Sequence, residues 1–317
     1  MMLLAFMLSG QRRITSCWSF GVGLVILGLV AAADLPAVAQ SATTGDVRGV
    51  LEVEGRQIHL ECAGAGEPAV ILISGYRNNA EIWTVEPGPG LQPVMTGTSG
   101  VTRVCAYDRP GTILDGDHLS RSDPLPMPRT ADAVVTELHG VLRASRIANA
   151  YILTTHSLGG LFARLYASTY PDDVAGMVLV DAWQEDLPSI LGPAAWAAYV
   201  ELAEPPPPGL EGYAELESID FAEASARMRD AARAEPLPPI PLFVISRAKP
   251  VQLPPDVPAA FSPQAFEAAW REGQRRLAAL LPDARHAVAT ESSHYVQLDQ
   301  PQLVVDAIRE VVEAARH

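Results

Sequence analysis

The sequence predicts an α/β chain, with about eight strands in a mainly parallel sheet, helices on both faces and one inserted helical stretch. Three observations carry that reading. From Gln40 onward short apolar runs alternate with amphipathic segments, as strands alternate with crossover helices. The run Y-I-L-T-T-H-S-L-G-G at 151–160 passes from strand to helix with almost no loop between them. Before Pro241 a stretch of roughly 60 residues breaks the alternation, with helical patches and the proline clusters Pro205 to Pro208 and Pro236-Leu237-Pro238-Pro239.

A length of 317 residues, 48% hydrophobic and 19% charged, is that of a globular chain with one large domain or two ordinary ones. The 23 Lys and Arg against 37 Asp and Glu give a formal charge of -14. No basic field exists to gather phosphate backbones or anionic lipid, so no nucleic-acid partner is expected. The seven His and three Cys show no C-x-x-C and no H-x-x-x-H spacing, and neither a metal nor a cofactor is expected.

Taken in order, residues 1–39 read as an export signal. Arg12 and Arg13 precede the apolar run Phe20 to Ala33, and Ala37-Val38-Ala39 supplies the small-x-small pattern before Gln40. That apolar run is shorter than the roughly 20 residues that cross a bilayer. Cleavage after Ala39 is therefore expected, with a periplasmic or extracellular location and no stable membrane insertion afterwards. Cys62 and Cys105 then remain in a disulfide-permissive compartment, as a bonded pair or as two buried thiols in strand-like runs.

Val50 to Val53 and Ile58 to Glu61, joined by Glu54-Gly55-Arg56, read as an opening hairpin. The remaining strands are expected at Val70 to Ile73, Val101 to Tyr107, Tyr151 to Thr155, Met177 to Val180, Leu242 to Ile245 and Ala287 to Thr290. Thr130 is placed to cap a helix that carries Val134, Val135, Leu138, Val141 and Leu142 on one face. Leu158 to Tyr170 forms a second helix, Ser262-Pro263 opens another, and Pro301 starts the last. The chain so divides into the signal (1–39), a first core part (40–181), a cap or lid insertion (182–240) and a second core part (241–317).

Ser157 stands on the strand-to-helix turn. A bend of that kind lifts its hydroxyl above the sheet edge, while the Leu158 amide at the helix N-terminus points at the same spot. The H-S-L-G-G after a β run resembles the nucleophile elbow of the α/β-hydrolase fold, in which a serine attacks an acyl carbon. Thr155 stands where the family's G-x-S-x-G has its first glycine. V-I-L-I-S-G-Y at 70–76 is similar to the family's strand followed by H-G-x, with Ser74 in place of the histidine. This implies the Tyr76 amide as second oxyanion donor. R-V-C-A-Y-D-R-P-G at 103–111 is similar to the family's Y-D-R-x-G, and Asp108 and Arg109 are read as an internal ion pair holding that loop.

E-S-S-H-Y-V-Q-L-D-Q-P at 291–301 resembles the family's late histidine loop and implies His294 as general base. His156 adjoins the nucleophile, but consecutive side chains diverge at an elbow. The usual acid position is occupied by V-I-S-R-A-K-P at 244–250, with Lys249 and Pro250 where a carboxylate belongs. One strand earlier G-M-V-L-V-D-A ends in Asp181, where some branches of the fold, haloalkane dehalogenases among them, keep theirs. Asp181 is the expected acid, with Glu185, Asp186 and Asp256 as alternatives. The opening Leu60 to Pro68 is similar to that of secreted or membrane-associated bacterial members.

A serine at the elbow sets aside the branches that need an aspartate nucleophile. The resemblance implies acyl transfer to water by a Ser157-His294-Asp181 triad, acting on a small ester or lactone. An amidase, perhydrolase or acyltransferase would use the same triad, and a non-catalytic member binding a small ligand is the rival from another class. Arg77 is a candidate to bind a carboxylate beside the oxyanion loop. Trp183, Trp196, Tyr199, Tyr213 and Phe221 either line an acyl pocket or fasten the insertion to the core. Oligomeric state is left open.

Overall fold

The computed structural model describes residues 47–115, 118–253 and 257–317, so the expected signal and Asp256 lie outside the described residues. In chain order the strands are β1 (Val47–Val53), β2 (Arg56–Ala63), β3 (Val70–Ile73), β4 (Val104–Tyr107), β5 (Ile113–Asp115), β6 (His118–Leu119), β7 (Tyr151–His156), β8 (Val174–Val180), β9 (Leu242–Arg247) and β10 (Arg285–Ala289). The helices are α1 (Glu81–Thr84), α2 (Val94–Ser99), α3 (Ala131–Ser145), α4 (Gly159–Thr169), α5 (Leu187–Leu191), α6 (Pro193–Ala203), α7 (Phe221–Ala234), α8 (Pro263–Ala278), α9 (Val296–Asp299) and α10 (Pro301–Ala315).

Eight strands form one sheet in the order β1-β2-β4-β3-β7-β8-β9-β10. The hairpin β1-β2 and the pair β2-β4 are antiparallel, and every later pairing is parallel. Strands covered by helices on both faces bury every side chain, and β3, β4, β7 and β9 do so along their whole length. One face packs against α3, α4 and α8 through residues such as Leu138, Phe162 and Trp270, and α7 packs on α4, adding Met228 to the same core. The other packs against α1, α2, α9 and α10 through Trp83, Val94, Val296 and Ile308.

The helix ends follow the sequence signals. Thr130 accepts from the Ala133 amide, Ser262 accepts from the Ala265 amide, and Pro263 and Pro301 sit in the first turns of α8 and α10. Cys62 and Cys105 lie directly opposite in the β2-β4 register and form a disulfide, with Cα atoms 4.1 Å apart. The open question of bond or thiols is settled in favour of the bond.

The ribbon β5-β6 was not expected. It hangs beside the loop after β3, where the Ile113 amide donates to the Arg77 carbonyl at 2.9 Å. Residues 182–240 lie between β8 and β9 and carry α5, α6 and α7. Their aromatic rings stack on one another: Trp183 on Phe221 at 5.2 Å and Trp196 on Tyr199 at 5.4 Å. No described helix is long and apolar enough to cross a membrane.

Candidate active site

The parallel register sets Thr155 against Leu179 and His156 against Val180, so Ser157 and Asp181 leave neighbouring strand ends side by side. Both turn with left-handed backbone, φ 53° at Ser157 and φ 41° at Asp181. Ser157 is held by its own main chain. Its amide donates to the Val180 carbonyl at 3.2 Å, and its carbonyl accepts from Trp183 at 2.8 Å and Gly160 at 3.0 Å. A strained elbow of this kind presents the side chain outward, and Ser157 is part-exposed between buried neighbours.

The glycines have steric reasons. A Cβ on Gly159 would lie 2.6 Å from the Ile73 carbonyl oxygen, and one on Gly160 would lie 2.5 Å from the Ala182 Cβ. Thr155 lies beside Gly160, on which a Cβ would come 3.3 Å from the Thr155 Oγ1. Its buried hydroxyl donates to the Val178 carbonyl at 3.4 Å.

A Cβ on Gly75 would come 2.9 Å from both the Ser157 Cβ and the His156 Nδ1, so the loop after β3 lies against the elbow. Ser74 does not face the site. Its hydroxyl donates to the Asn79 carbonyl at 2.8 Å and accepts from Trp83 Nε1 at 3.0 Å. Among the described residues neither the Tyr76 nor the Leu158 amide is engaged by an acceptor.

Two expectations about this loop are corrected. Asp108 and Arg109 do not pair with each other: Asp108 takes Arg121 at 2.7 Å, while Arg109 takes Glu217 at 2.6 Å. The two side chains leave the strand end toward different partners, one across the ribbon and one toward the insertion. Arg77 is not free to bind a carboxylate either. Its Nε, Nη1 and Nη2 donate to the carbonyls of Glu217, Pro205 and Glu204 at 3.1, 2.8 and 2.8 Å, strapping the insertion to the loop.

On the other side, His294 Nδ1 lies 2.6 Å from Asp181 Oδ2. The same oxygen accepts from Arg247 Nη1 at 2.7 Å, and Oδ1 accepts from Trp270 Nε1 at 2.9 Å. Burial pushes the Asp181 carboxyl up, but Arg247, His294 and Trp270 together outweigh it and hold the group well below the usual carboxylate range. An ionised carboxylate only accepts, so the proton of that bond sits on His294 Nδ1, and Nε2 is the ring nitrogen left for other partners.

His156 is fully buried, and its Nε2 donates to the His294 carbonyl at 2.9 Å. Burial first, and the neighbouring His294 second, lower it to about 3, so it stays neutral and holds the histidine loop. Of the alternative acids, Glu185 pairs with Arg164 and Asp186 with Arg276.

A profile of the alpha/beta hydrolase family matches residues 70–307. The chain belongs to the alpha/beta hydrolase family. Within that likeness, the uncharacterized protein YqjL of Bacillus subtilis is 24% identical over 252 residues, 80% of this chain and 86% of that one. A thermophilic esterase from Thermogutta terrifontis superposes with a TM-score of 0.56 at 17% identity, over 86% of this chain and all of the other. The enol-lactonase from Burkholderia xenovorans LB400 superposes with a TM-score of 0.54 at 16% identity, over 83% of this chain and 99% of the other. At these identities the two structures share the fold.

On this alpha/beta hydrolase frame the strand ends bring Ser157 and Asp181 together, His294 reaches Asp181, and the Gly75-Tyr76 loop meets the elbow. Three residues around them escaped the sequence reading. Arg247 ends a buried strand, where a charged side chain is itself a signal that a countercharge lies nearby. Trp270 shares its helix face with Phe266 and Leu277 and reads as core. Glu217 lies in an irregular stretch with no pattern to mark it.

Proposed function

We propose that the protein is a serine hydrolase that cleaves a carboxylic ester or lactone through an acyl-enzyme. The observation that carries the reading is the 2.6 Å bond between His294 Nδ1 and a buried Asp181, set beside a left-handed elbow serine. In this scheme His294 Nε2 takes the proton of the Ser157 hydroxyl as its oxygen attacks the acyl carbon, and Asp181 stabilises the imidazolium. The tetrahedral oxyanion is received by the Tyr76 and Leu158 amides, each such donor contributing about 3 kcal/mol. His294 then gives the proton to the leaving alcohol, and a water activated by the same imidazole releases the acid.

The names of the structural neighbours, an esterase and an enol-lactonase, support this substrate class. Residues 182–240 act as a cap in this proposal. The support is that Phe221, from this stretch, meets Tyr76 edge-on at 4.9 Å, opposite the flank where Trp270 of α8 meets His294 edge-on at 5.4 Å. Export is proposed from the signal-like residues 1–39, and the Cys62–Cys105 disulfide supports an oxidising destination.

Chromogenic esters of rising acyl length, given to wild type and Ser157→Ala, test the reaction. Wild type should turn over short esters, and Ser157→Ala should lose at least about 10³-fold in kcat. Equal rates in both proteins would overturn the proposal.

A further inference from the structure

Glu217 is fully buried and comes from the stretch between β8 and β9, yet its carboxylate is spent on the loop after β3 and on Arg109, just after β4. Oε2 accepts from the Arg77 main-chain amide at 2.5 Å, and Arg109 donates to Oε1 through Nε at 2.6 Å and to Oε2 through Nη2 at 3.1 Å. Arg109, 1% exposed, continues inward: Nη1 donates to the Ser74 carbonyl at 2.8 Å and Nη2 to the Gly75 carbonyl at 2.6 Å. The Glu217 amide is itself anchored on the Gly111 carbonyl at 2.8 Å.

The consequence follows from peptide geometry. The 75–76 peptide is planar and trans, so its carbonyl and its N–H point in opposite directions. With the Gly75 carbonyl drawn toward Arg109, and also accepting from the Asn78 amide of its own turn at 3.1 Å, the Tyr76 N–H is turned away from it. The Arg77 amide, one peptide further on, is fixed by Glu217 directly. Leaving a buried guanidinium without its countercharge is strongly destabilising. Arg109 therefore holds these carbonyls only while Glu217 is docked.

We infer that Glu217 is a positioning residue for the Tyr76 oxyanion donor, acting through Arg109 and the Arg77 amide, so that the oxyanion hole is complete only when the 204–217 stretch is seated. The inference rests on the serine-hydrolase reading. It makes the insertion a working part of the transition-state machinery rather than only a wall of the substrate pocket. Arg77 adds to the same joint by strapping the carbonyls of Glu204 and Pro205.

The test compares wild type with Glu217→Gln, which keeps the shape and removes the charge, and with Glu217→Asp, which keeps the buried charge paired and shortens its reach. Each is measured for ester kcat and KM, for affinity toward an alkyl boronic acid as a tetrahedral mimic, and for affinity toward the product carboxylate. Active sites are counted by fluorophosphonate titration. A misplaced donor predicts that kcat and boronate affinity fall together, about 10- to 100-fold in Glu217→Gln and less in Glu217→Asp. KM and product affinity should stay within about 3-fold, because the donor acts on the tetrahedral state. Arg227→Gln serves as control. It breaks only the exposed pair between α7 and Asp132 and should leave kcat unchanged.

If wild type and Arg227→Gln turn over ester while kcat per titrated site and boronate affinity in both Glu217 variants stay within about 2-fold of wild type, the inference is overturned and the serine-hydrolase reading stands. If Glu217→Gln does not fold, the same split in Glu217→Asp decides. If wild type neither labels nor turns over ester, the parent reading fails first, and this inference with it.

Discussion

Ser157, Leu158 and Gly159 reach their places through one turn of continuous chain. His294 instead meets Asp181 across 113 residues, and Asp181 meets Arg247 across 66 and Trp270 across 89. The Ser157 side is fixed by backbone: a left-handed serine, amides at a helix start, and glycines whose missing Cβ atoms let β3 close on the elbow. The His294–Asp181 side is fixed by side chains, those of His294, Arg247 and Trp270 converging on one carboxylate in a buried place. A backbone device tolerates little change in shape, whereas a side-chain device tolerates little change in charge or hydrogen bonding.

That contrast can be broken or sharpened by substitution. The largest effect belongs to the charge device. Asp181→Asn should lower kcat by about 10³- to 10⁴-fold in ester hydrolysis, because an amide can no longer hold the His294 tautomer. The variant should also melt earlier at pH 7, since it leaves Arg247 partly uncompensated. A depressed carboxyl contributes stability above the ordinary carboxylate range and loses it as the pH falls toward the folded value, so the melting deficit should narrow on acidification. Turnover within 10-fold of wild type, about 1.4 kcal/mol, would move the acid role elsewhere.

Gly75→Ala tests the shape device. Its Cβ would meet Ser157 Cβ and His156 Nδ1 at 2.9 Å, so kcat should fall about 10- to 100-fold with little change in charge. Trp270→Phe removes one hydrogen bond to Asp181 and keeps the ring, and about 3- to 10-fold in kcat is expected.

His156 belongs to both sides, contiguous with Ser157 and bonded to the His294 carbonyl. Unfolded, it binds a proton below about pH 6.5, while folded it stays neutral down to about 3. Stability should therefore decline as the pH falls through that window, and melting curves of His156→Gln should lose this part of the slope. The smallest effect is expected for Thr155→Gly, which restores the family's glycine. kcat should stay within about 2-fold and stability should fall by roughly 1 kcal/mol, because a buried strand residue loses its side chain.

The same contrast explains what could be read from the chain. The apolar strands, the caps at Thr130 and Ser262, Pro301 and the Ser157 elbow are local patterns, and they stand where the sequence placed them. His294 and Asp181 were legible because each closes a strand-and-loop pattern of its own. Their supports were not: Arg247 and Trp270 show their purpose only when β9 and α8 meet Asp181. Asp108 and Arg109 are adjacent in sequence and were read as a pair, yet the fold gives each a stronger partner, Arg121 and Glu217. Adjacency along a chain is weak guidance for buried charges, whose partners are chosen by the fold.

The most direct measurement is the intact mass of the folded protein after exposure to a fluorophosphonate, with peptide mapping of the adduct. The account predicts one adduct, on Ser157, absent from Ser157→Ala and strongly slowed in Asp181→Asn. A folded protein that turns over ester yet carries no label on Ser157, or that labels equally fast without Asp181, would contradict it.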